Sequence, residues 1–193
     1  VAPTPVDLDA GIGLLSQLGD DVRRSEPIAG IGVSIGGPLD WRTGVVSPLH
    51  QPAWRDVPLG DLLRQRFGCP VSIDVDTNVA AVGEYLADAS QPSRLLYLTL
   101  STGMGGGFIV DGRLYRGANG AHPEVAHQSI AYRCRFPERI ECECGAEACL
   151  EALVSGNGIR RVYGAPAEQL DAEGWAEVAD NLGQGFRNLA AIY

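Results

Sequence analysis

The positions of apolar residues in the first half of the chain predict helices mixed with short strands. Residues 7–25 have helical periodicity, with one apolar face: Leu8, Ile12, Leu15, Leu18 and Val22. Apolar runs at 28–34 and 71–73 predict buried strands. Between them, residues 59–67 predict an amphipathic helix, and Gly68 is its natural end. The first half is therefore expected to combine both kinds of element.

The second half has the same mixture. Apolar runs at 95–100 and 107–110 predict two strands, and Asp111-Gly112 is a hairpin signal after them. A helix is predicted from Leu150, and another over residues 171–193. The second of these has an apolar face formed by Trp175, Val178, Leu182, Phe186, Leu189 and Ile192. The chain is therefore predicted to be α/β.

Length and charge limit the organisation and the classes of function. The chain has 193 residues, which we divide into two lobes, residues 1–90 and 91–193. A net charge of −9 argues against a nucleic-acid partner and an anionic membrane surface, which both require clustered Lys and Arg. No apolar run reaches membrane-spanning length. The five cysteines, an odd number, favour a cytoplasmic location over secretion.

One histidine and three cysteines predict a zinc site. His127 precedes the run Cys142-Glu-Cys144-Gly-Ala-Glu-Ala-Cys149, and such residues can close a tetrahedral metal site. Glu124 and Glu151 stand at the ends of this cluster. Carboxylates held beside a zinc site suit a polar ligand, and sugar hydroxyls are the obvious candidates.

Other interpretations of the cysteines remain open at this point. They can form a reduced cluster without metal or a disulfide, although their spacing is tight for a disulfide. His122 competes with His127 as a ligand, and Cys134 competes with the other cysteines.

Two further segments carry candidate chemistry. Asp74-Val-Asp76-Thr-Asn78 lies at a predicted strand-to-helix junction, where ligands of α/β sheets gather, although a simple N-cap is an alternative for its aspartates. Ser101-Thr-Gly-Met-Gly-Gly-Gly107 connects two strands, and its backbone N–H groups can form a phosphate-binding nest. A glycine-rich hairpin without a ligand is the alternative there.

These segments together resemble the repressor–open reading frame–kinase (ROK) family of bacterial sugar kinases and sugar-responsive regulators. The similar segments occur in the family's order and cover most of residues 28–193. They are Gly32–Asp40, Asp74–Glu84, Leu98–Gly107, Asp111–Gly120, Glu124-x-x-His127, and Cys142-x-Cys-Gly-x-x-x-Cys-Leu-Glu151.

The resemblance implies an actin-like ATPase fold (ribonuclease H-like) with two lobes, incomplete at both ends. It implies transfer of the ATP γ-phosphoryl group to a hexose hydroxyl, with magnesium and a structural zinc as cofactors. Sugar and ATP are the expected partners, without nucleic acid or membrane, in a homodimer or higher homo-oligomer.

The resemblance also assigns roles to residues. Asp76 falls on the catalytic base, and Thr102 and Gly103 fall on the phosphate loop. The sugar-contacting positions are Gly37, His50, Val75, Glu124, His127 and Glu151. The zinc ligands are His127, Cys142, Cys144 and Cys149.

The chain departs from the family pattern in several places. Val75 stands where family glucokinases and N-acetylmannosamine kinases carry a sugar-binding Asn, so the preferred sugar is in doubt, although the fructokinase-like branch also lacks that Asn. Ala126 and Ala148 replace glycines, and the gap from His127 to the cysteines is longer than usual. The N-terminal phosphate motif and the late adenosine motif are absent. We therefore expect the 193-residue chain alone to be inactive.

Two alternatives to a kinase follow from these observations. The first is the sugar-sensing domain of a ROK-type transcriptional repressor, which carries a helix-turn-helix segment before the kinase-like part. The second is a zinc-ribbon interaction module, which predicts basic or aromatic clusters around the cysteines. Acidic residues surround the cysteines instead: Glu141, Glu143, Glu147 and Glu151.

Overall fold

The computed structural model describes residues 2–23, 27–117, 120 and 122–193. They form two compact units, Val1–Val79 and Ala80–Tyr193. This division falls inside a helix, upstream of the boundary that the sequence predicts after residue 90. Residues 24 and 25 of the predicted first helix, and residues 118 and 119 of the family-like 111–120 segment, lie outside the described residues.

The first unit contains a parallel strand pair covered by helices. Its elements are α1 (Leu8–Val22), β1 (Ile31–Ile35), β2 (Leu39–Asp40), β3 (Val45–Val46), α2 (Leu59–Phe67), β4 (Val71–Val75) and the start of α3 (Asp76–Ala87). Strand β1 pairs with β4 in parallel, and Ile35 lies opposite Val75. The carboxyl ends of the two strands therefore lie side by side, which is where α/β proteins usually bind ligands.

Helices α1 and α2 pack against this pair. Asp7 caps α1 by accepting the N–H of Ala10 at 2.9 Å. A Cβ on Gly11 would lie 2.5 Å from Cζ2 of Trp54, so glycine is what allows α1 to approach the buried indole. Helix α2 ends at Gly68, whose φ of 66° is left-handed, as the sequence predicts.

The second unit is built on an antiparallel sheet of three strands. These are β5 (Arg94–Leu100), β6 (Met104–Val110) and β7 (Arg113–Leu114), followed by α4 (Leu150–Val154), α5 (Gly156–Tyr163) and α6 (Ala172–Ile192). Asp111 and Gly112 have φ angles of 48° and 74°, so they form the predicted tight turn between β6 and β7. Residues 115–149 contain two short 3₁₀ turns, Val125–His127 and Pro137–Arg139, but no α-helix or strand among their described residues.

The predicted apolar face of α6 is wrong in half of its members. Val178 and Leu189 are buried, but Trp175, Phe186 and Ile192 are 47%, 45% and 72% exposed. The buried face instead includes two polar residues, Glu177 and Asn181. Its other buried members are Gly174, Val178, Gly185 and Leu189. The helix is rotated relative to the prediction because these polar side chains have partners inside the unit.

Within the described residues, no helix is long and apolar enough to cross a membrane.

Candidate functional site

In the first unit, three of the predicted site residues lie at the carboxyl ends of β1 and β4. Gly37 follows β1, and a Cβ on it would lie 3.9 Å from Cγ2 of Val75, the last residue of β4. The carbonyl of Gly37 accepts the N–H of Leu49 at 3.1 Å, which ties the exposed neighbour His50 to the same region. The parallel pairing of two strands therefore brings Gly37, Val75 and the loop of His50 together.

The Asp-x-Asp-x-Asn segment continues from that point into α3. Asp76 is exposed at the first position of the helix, and its Oδ1 accepts the N–H of Thr77 at 2.8 Å. Asp74 Oδ1 accepts the side-chain amide of Asn78 at 2.9 Å, which links the strand to the helix. The hydroxyl of Thr77 and Oδ1 of Asn78 are buried without a hydrogen-bond partner within the described residues. Both residues directly follow the accessible carboxylate of Asp76, at the end of the strand pair where α/β proteins usually bind ligands.

In the second unit, the glycine-rich turn between β5 and β6 is held by hydrogen bonds to its backbone. The N–H of Ser101 donates to the carbonyl of Gly103 at 2.9 Å. The carbonyls of Ser101 and Thr102 accept the N–H groups of Gly156 and Asn157, at the start of α5, at 2.8 and 2.9 Å. The turn therefore presents the exposed Thr102 from a fixed backbone.

The predicted metal ligands come together in the same unit. The Nδ1 atom of His127 and the sulfurs of Cys142, Cys144 and Cys149 all lie within 4.8 Å of one another. The distances from His127 Nδ1 to the sulfurs of Cys142 and Cys149 are 3.5 and 3.7 Å. Cys134 is a free thiol outside this cluster.

These four residues fit a tetrahedral zinc ion. With Zn–N near 2.05 Å and Zn–S near 2.3 Å, neighbouring N and S ligands lie about 3.6 Å apart, close to both distances above. Burial raises the pKa of the Cys149 thiol to about 12 and raises that of Cys142, whereas the N–H of Ala146 lowers the pKa of Cys144. A cation at the centre of the cluster would favour the thiolate forms that burial opposes.

Two carboxylates border the cluster on different sides. Glu124 is 62% exposed, and its oxygens lie 3.9 Å from Nε2 of His127 and 3.5 Å from Nε2 of His122. Glu151 is 24% exposed, and its Oε2 lies 3.5 Å from Nδ1 of His127. Its other oxygen accepts the N–H of Met104 at 3.0 Å. Glu151 therefore connects the cluster with the glycine-rich turn.

Sequence reasoning missed several residues that support this site. The backbone N–H of Met104 carried no signal, because any residue supplies one. The sequence marks His122 as a possible metal ligand, whereas in the structure its Nε2 lies 3.5 Å from Glu124. Glu177 and Asn181 are four residues apart in the last helix and therefore lie on the same face. Two polar residues on one face can signal buried polar contacts, but the apolar periodicity alone does not reveal them.

Comparison with known proteins decides the family. The model of the ROK family matches residues 8–191, nearly the whole chain. The chain belongs to the ROK family. Among its relatives is a glucokinase of Halalkalibacterium halodurans, 35% identical over 136 residues, which are 70% of this chain and 40% of the relative. Another is a xylose repressor of Caldicellulosiruptor bescii, 35% identical over 136 residues, which are 70% of this chain and 33% of the repressor.

Solved ROK structures show the same fold. The ROK hexokinase of Thermus thermophilus superposes with a TM-score of 0.81 at 30% identity, over 100% of this chain and 69% of the hexokinase. A ROK glucokinase of Streptomyces griseus in complex with glucose and AMPPNP gives a TM-score of 0.73 at 26% identity, over 100% of this chain and 71% of that one. This member of the ROK family therefore has the actin-like ATPase fold, and its matches span less than half the length of the two curated relatives above.

Proposed function

We propose that this chain is part of an ATP-dependent sugar kinase that transfers the γ-phosphoryl group of ATP to a hydroxyl of a hexose or hexose derivative. One observation carries the proposal: the exposed carboxylate of Asp76 begins α3 directly after Val75, whose side chain lies beside Gly37. The likeness to a glucokinase and to a glucokinase structure that holds glucose and AMPPNP supports a sugar and ATP as substrates.

Asp76 acts as the general base in this proposal. The proton of the sugar hydroxyl moves to the free oxygen of the carboxylate as the hydroxyl oxygen attacks the γ-phosphorus and the bond to ADP breaks. The hydrogen bond from the N–H of Thr77 fixes the other oxygen, which orients the carboxylate.

We assign sugar-contacting roles within each unit separately. In the first unit they belong to Gly37, His50 and Val75. In the second unit they belong to Glu124, His127 and Glu151. Nε2 of His127 and Oε2 of Glu124 are 3.9 Å apart, which is too far for a hydrogen bond between them. A hydroxyl placed beside both can accept a hydrogen bond from the imidazole and donate one to the carboxylate.

Zinc has a structural role in this proposal. Nδ1 of His127 and the sulfurs of Cys142, Cys144 and Cys149 would hold the ion, which would leave Nε2 of the imidazole to face the sugar. Because the protein would supply all four ligands, such an ion would be structural and would not activate water. The three thiolates and the imidazole then hold the loop that carries Glu124.

The glycine-rich turn binds the phosphates of ATP in this proposal. The hydroxyl of Thr102 and the backbone N–H of Gly103 donate hydrogen bonds to phosphate oxygens, and magnesium would bind as part of the Mg–ATP complex. Because the chain supplies one phosphate-binding segment of such an enzyme, we infer that these 193 residues alone transfer phosphate poorly.

The experiment that tests the proposal is a kinase assay on the complete protein that contains this chain. Purified protein is incubated with ATP, Mg²⁺ and a panel of glucose, fructose, mannose, N-acetylmannosamine and N-acetylglucosamine. Sugar-dependent formation of ADP and of a sugar phosphate is the expected result. A protein that binds a sugar but forms no phosphate ester with any of them contradicts the proposal.

The second candidate is the sugar-sensing domain of a transcriptional repressor, and the 35% identity to a xylose repressor favours it. Such a protein binds sugar through the same residues without transferring phosphate. DNA binding that a sugar weakens, together with an inactive kinase assay, distinguishes it from the kinase.

A further inference from the structure

The segment that joins two of the cluster residues has little structure of its own. Residues 128–141, which we call the strap, run from His127 to Cys142 and contain one short 3₁₀ turn, Pro137–Arg139. Within the described residues, the strap belongs to no sheet. Its two ends nevertheless place Nδ1 of His127 and the sulfur of Cys142 3.5 Å apart. Something other than a strand ladder must therefore hold it.

The first support is Asn181 on α6, a residue that is 1% exposed. Its Oδ1 accepts the N–H of Arg133 at 2.8 Å, and its Nδ2 donates to the carbonyl of the same residue at 2.8 Å. One amide side chain thus satisfies both backbone groups of a strap residue, as a paired strand would. An apolar side chain at this position would leave both groups unpaired.

The second support is Glu177, one helical turn earlier on the same buried face and 2% exposed. Its Oε2 accepts the N–H of Arg135 at 3.2 Å and the hydroxyl of Tyr163 at 2.7 Å. Nε of Arg135 lies 3.6 Å from the same oxygen. This buried carboxylate therefore has a backbone donor, a side-chain donor and an ion pair that keep it in place.

A third contact follows further along α6. Nδ2 of Asn188 donates to Oε1 of Gln128 at 3.0 Å, directly beside the ligand His127. The carbonyl of Gln128 accepts the N–H of Leu150 at 3.0 Å, at the start of α4, which follows Cys149. The order of partners on the helix is the reverse of that on the strap, so α6 runs antiparallel to it and contacts it at several points.

We propose that Glu177 and Asn181 are positioning residues that hold the strap so that His127 and Cys142 meet at the metal. The inference rests on the zinc-bound sugar site proposed above. Neither residue touches the metal or the sugar, and both act through backbone groups of the strap. The long gap between His127 and the cysteines makes this support necessary. An unsupported loop of that length loses more conformational entropy on closing at the metal than a shorter loop would.

The test compares zinc release in the full chain carrying single substitutions. Release to an excess of a coloured chelator is followed by absorbance, and amide hydrogen exchange reports on Arg133. Asn181→Ala should accelerate zinc release about tenfold, the lower end of what loss of an outer-shell partner costs. Exchange of the Arg133 amide should accelerate by a similar factor.

Two matched controls separate positioning from general stability. Asp180→Ala removes an exposed carboxylate that lies 3.2 Å from the guanidinium of Arg133. This carboxylate does not bind the backbone of Arg133. Val178→Ala removes buried volume from the same helix without removing a hydrogen bond to the strap, and it should lower the melting temperature. Both controls should release zinc at close to the wild-type rate. If Asn181→Ala does not fold, Asn181→Asp keeps the acceptor for the Arg133 N–H but loses the donor to the Arg133 carbonyl, and it should also accelerate zinc release.

If Asn181→Ala releases zinc no faster than Asp180→Ala does, the proposal is wrong. Equal acceleration of zinc release by Val178→Ala would also overturn it. A wild-type chain that takes up no zinc would overturn it together with the metal assignment. An inactive kinase that still shows the graded zinc release would refute the proposed function and leave the positioning role supported.

Discussion

Oε1 of Glu151 accepts the backbone N–H of Met104 at 3.0 Å, so one carboxylate joins the cysteine cluster to the end of the glycine-rich turn. Its second oxygen lies 3.5 Å from Nδ1 of His127. A Cβ on Gly103 would lie 2.7 Å from Oε1, so glycine leaves the space that this carboxylate occupies. The proposed sugar side and phosphate side of the site thus share a residue.

Glu151→Ala should destabilise the chain and weaken both halves of the proposed site. Loss of the acceptor leaves the Met104 N–H unpaired at a buried position, which costs about 1–3 kcal/mol in the free energy of unfolding. In the complete protein, KM should rise for ATP as well as for the sugar. The measurements are denaturant unfolding and steady-state kinetics. Glu147→Ala, an exposed carboxylate in the same cysteine run, is the control. A rise in KM for the sugar alone would refute the link to the turn.

The metal assignment predicts different effects for two similarly buried cysteines. Protein purified without chelator should contain one zinc ion per chain. Cys142→Ser should lose most of that zinc, whereas Cys134→Ser should keep it, because only Cys142 belongs to the four-residue cluster. Metal analysis by mass spectrometry measures both. Zinc retained by Cys142→Ser and lost by Cys134→Ser would show that the ligand set is wrong.

Val75 should determine which sugar the complete protein prefers. Valine offers no hydrogen bond, so a glucose-type hydroxyl beside it loses about 1–3 kcal/mol unless another group replaces the missing partner. The wild type should therefore favour a ketose or an amino sugar. Val75→Asn should shift relative kcat/KM toward glucose or N-acetylmannosamine. A wild type that prefers glucose, with an unchanged ranking in the variant, contradicts this role.

Asp171 should make stability depend on pH in the acid range. The hydrogen-bonded Arg135 guanidinium, and then the N–H of Gly174, lower the pKa of this carboxyl below 3.8. A pKa that is lower in the folded state stabilises the fold above the unfolded pKa, and the contribution is lost as pH falls through the folded value. Asp171→Asn keeps a helix cap but removes the charge, so its melting temperature should fall less steeply below about pH 4 than that of the wild type. Asp180→Asn, exposed on the same helix, is the control, and equal slopes for all three proteins would contradict the prediction.

Local chemistry made much of the architecture predictable from sequence. Gly68 ends α2 because a left-handed residue is needed there, and Asp111-Gly112 turns a hairpin because both residues have positive φ. His127 and the three cysteines that the sequence groups with it also lie together in the structure, and their role as metal ligands stays a prediction. In each case, a few neighbouring residues carry the physical cause.

Tertiary contacts explain what the sequence could not predict. Trp175 and Phe186 fit the helical period of α6, yet they lie outside because Glu177 and Asn181 occupy the inner face. Those two polar residues are buried because they bind strap residues that are 42 and 48 positions away in the sequence. The link from Glu151 to Met104 likewise uses a backbone N–H that no sequence pattern marks.

The most direct test of the account is the rate of phosphoryl transfer in the complete protein with Asp76→Asn. The amide cannot take the proton of the attacking hydroxyl, so kcat should fall about 10²–10⁴-fold, while the sugar dissociation constant changes little. Asp88→Asn, exposed just beyond the end of α3, should leave both values unchanged. Near-normal turnover by the Asp76 variant would mean that this carboxylate only caps a helix, and the proposed mechanism would be wrong.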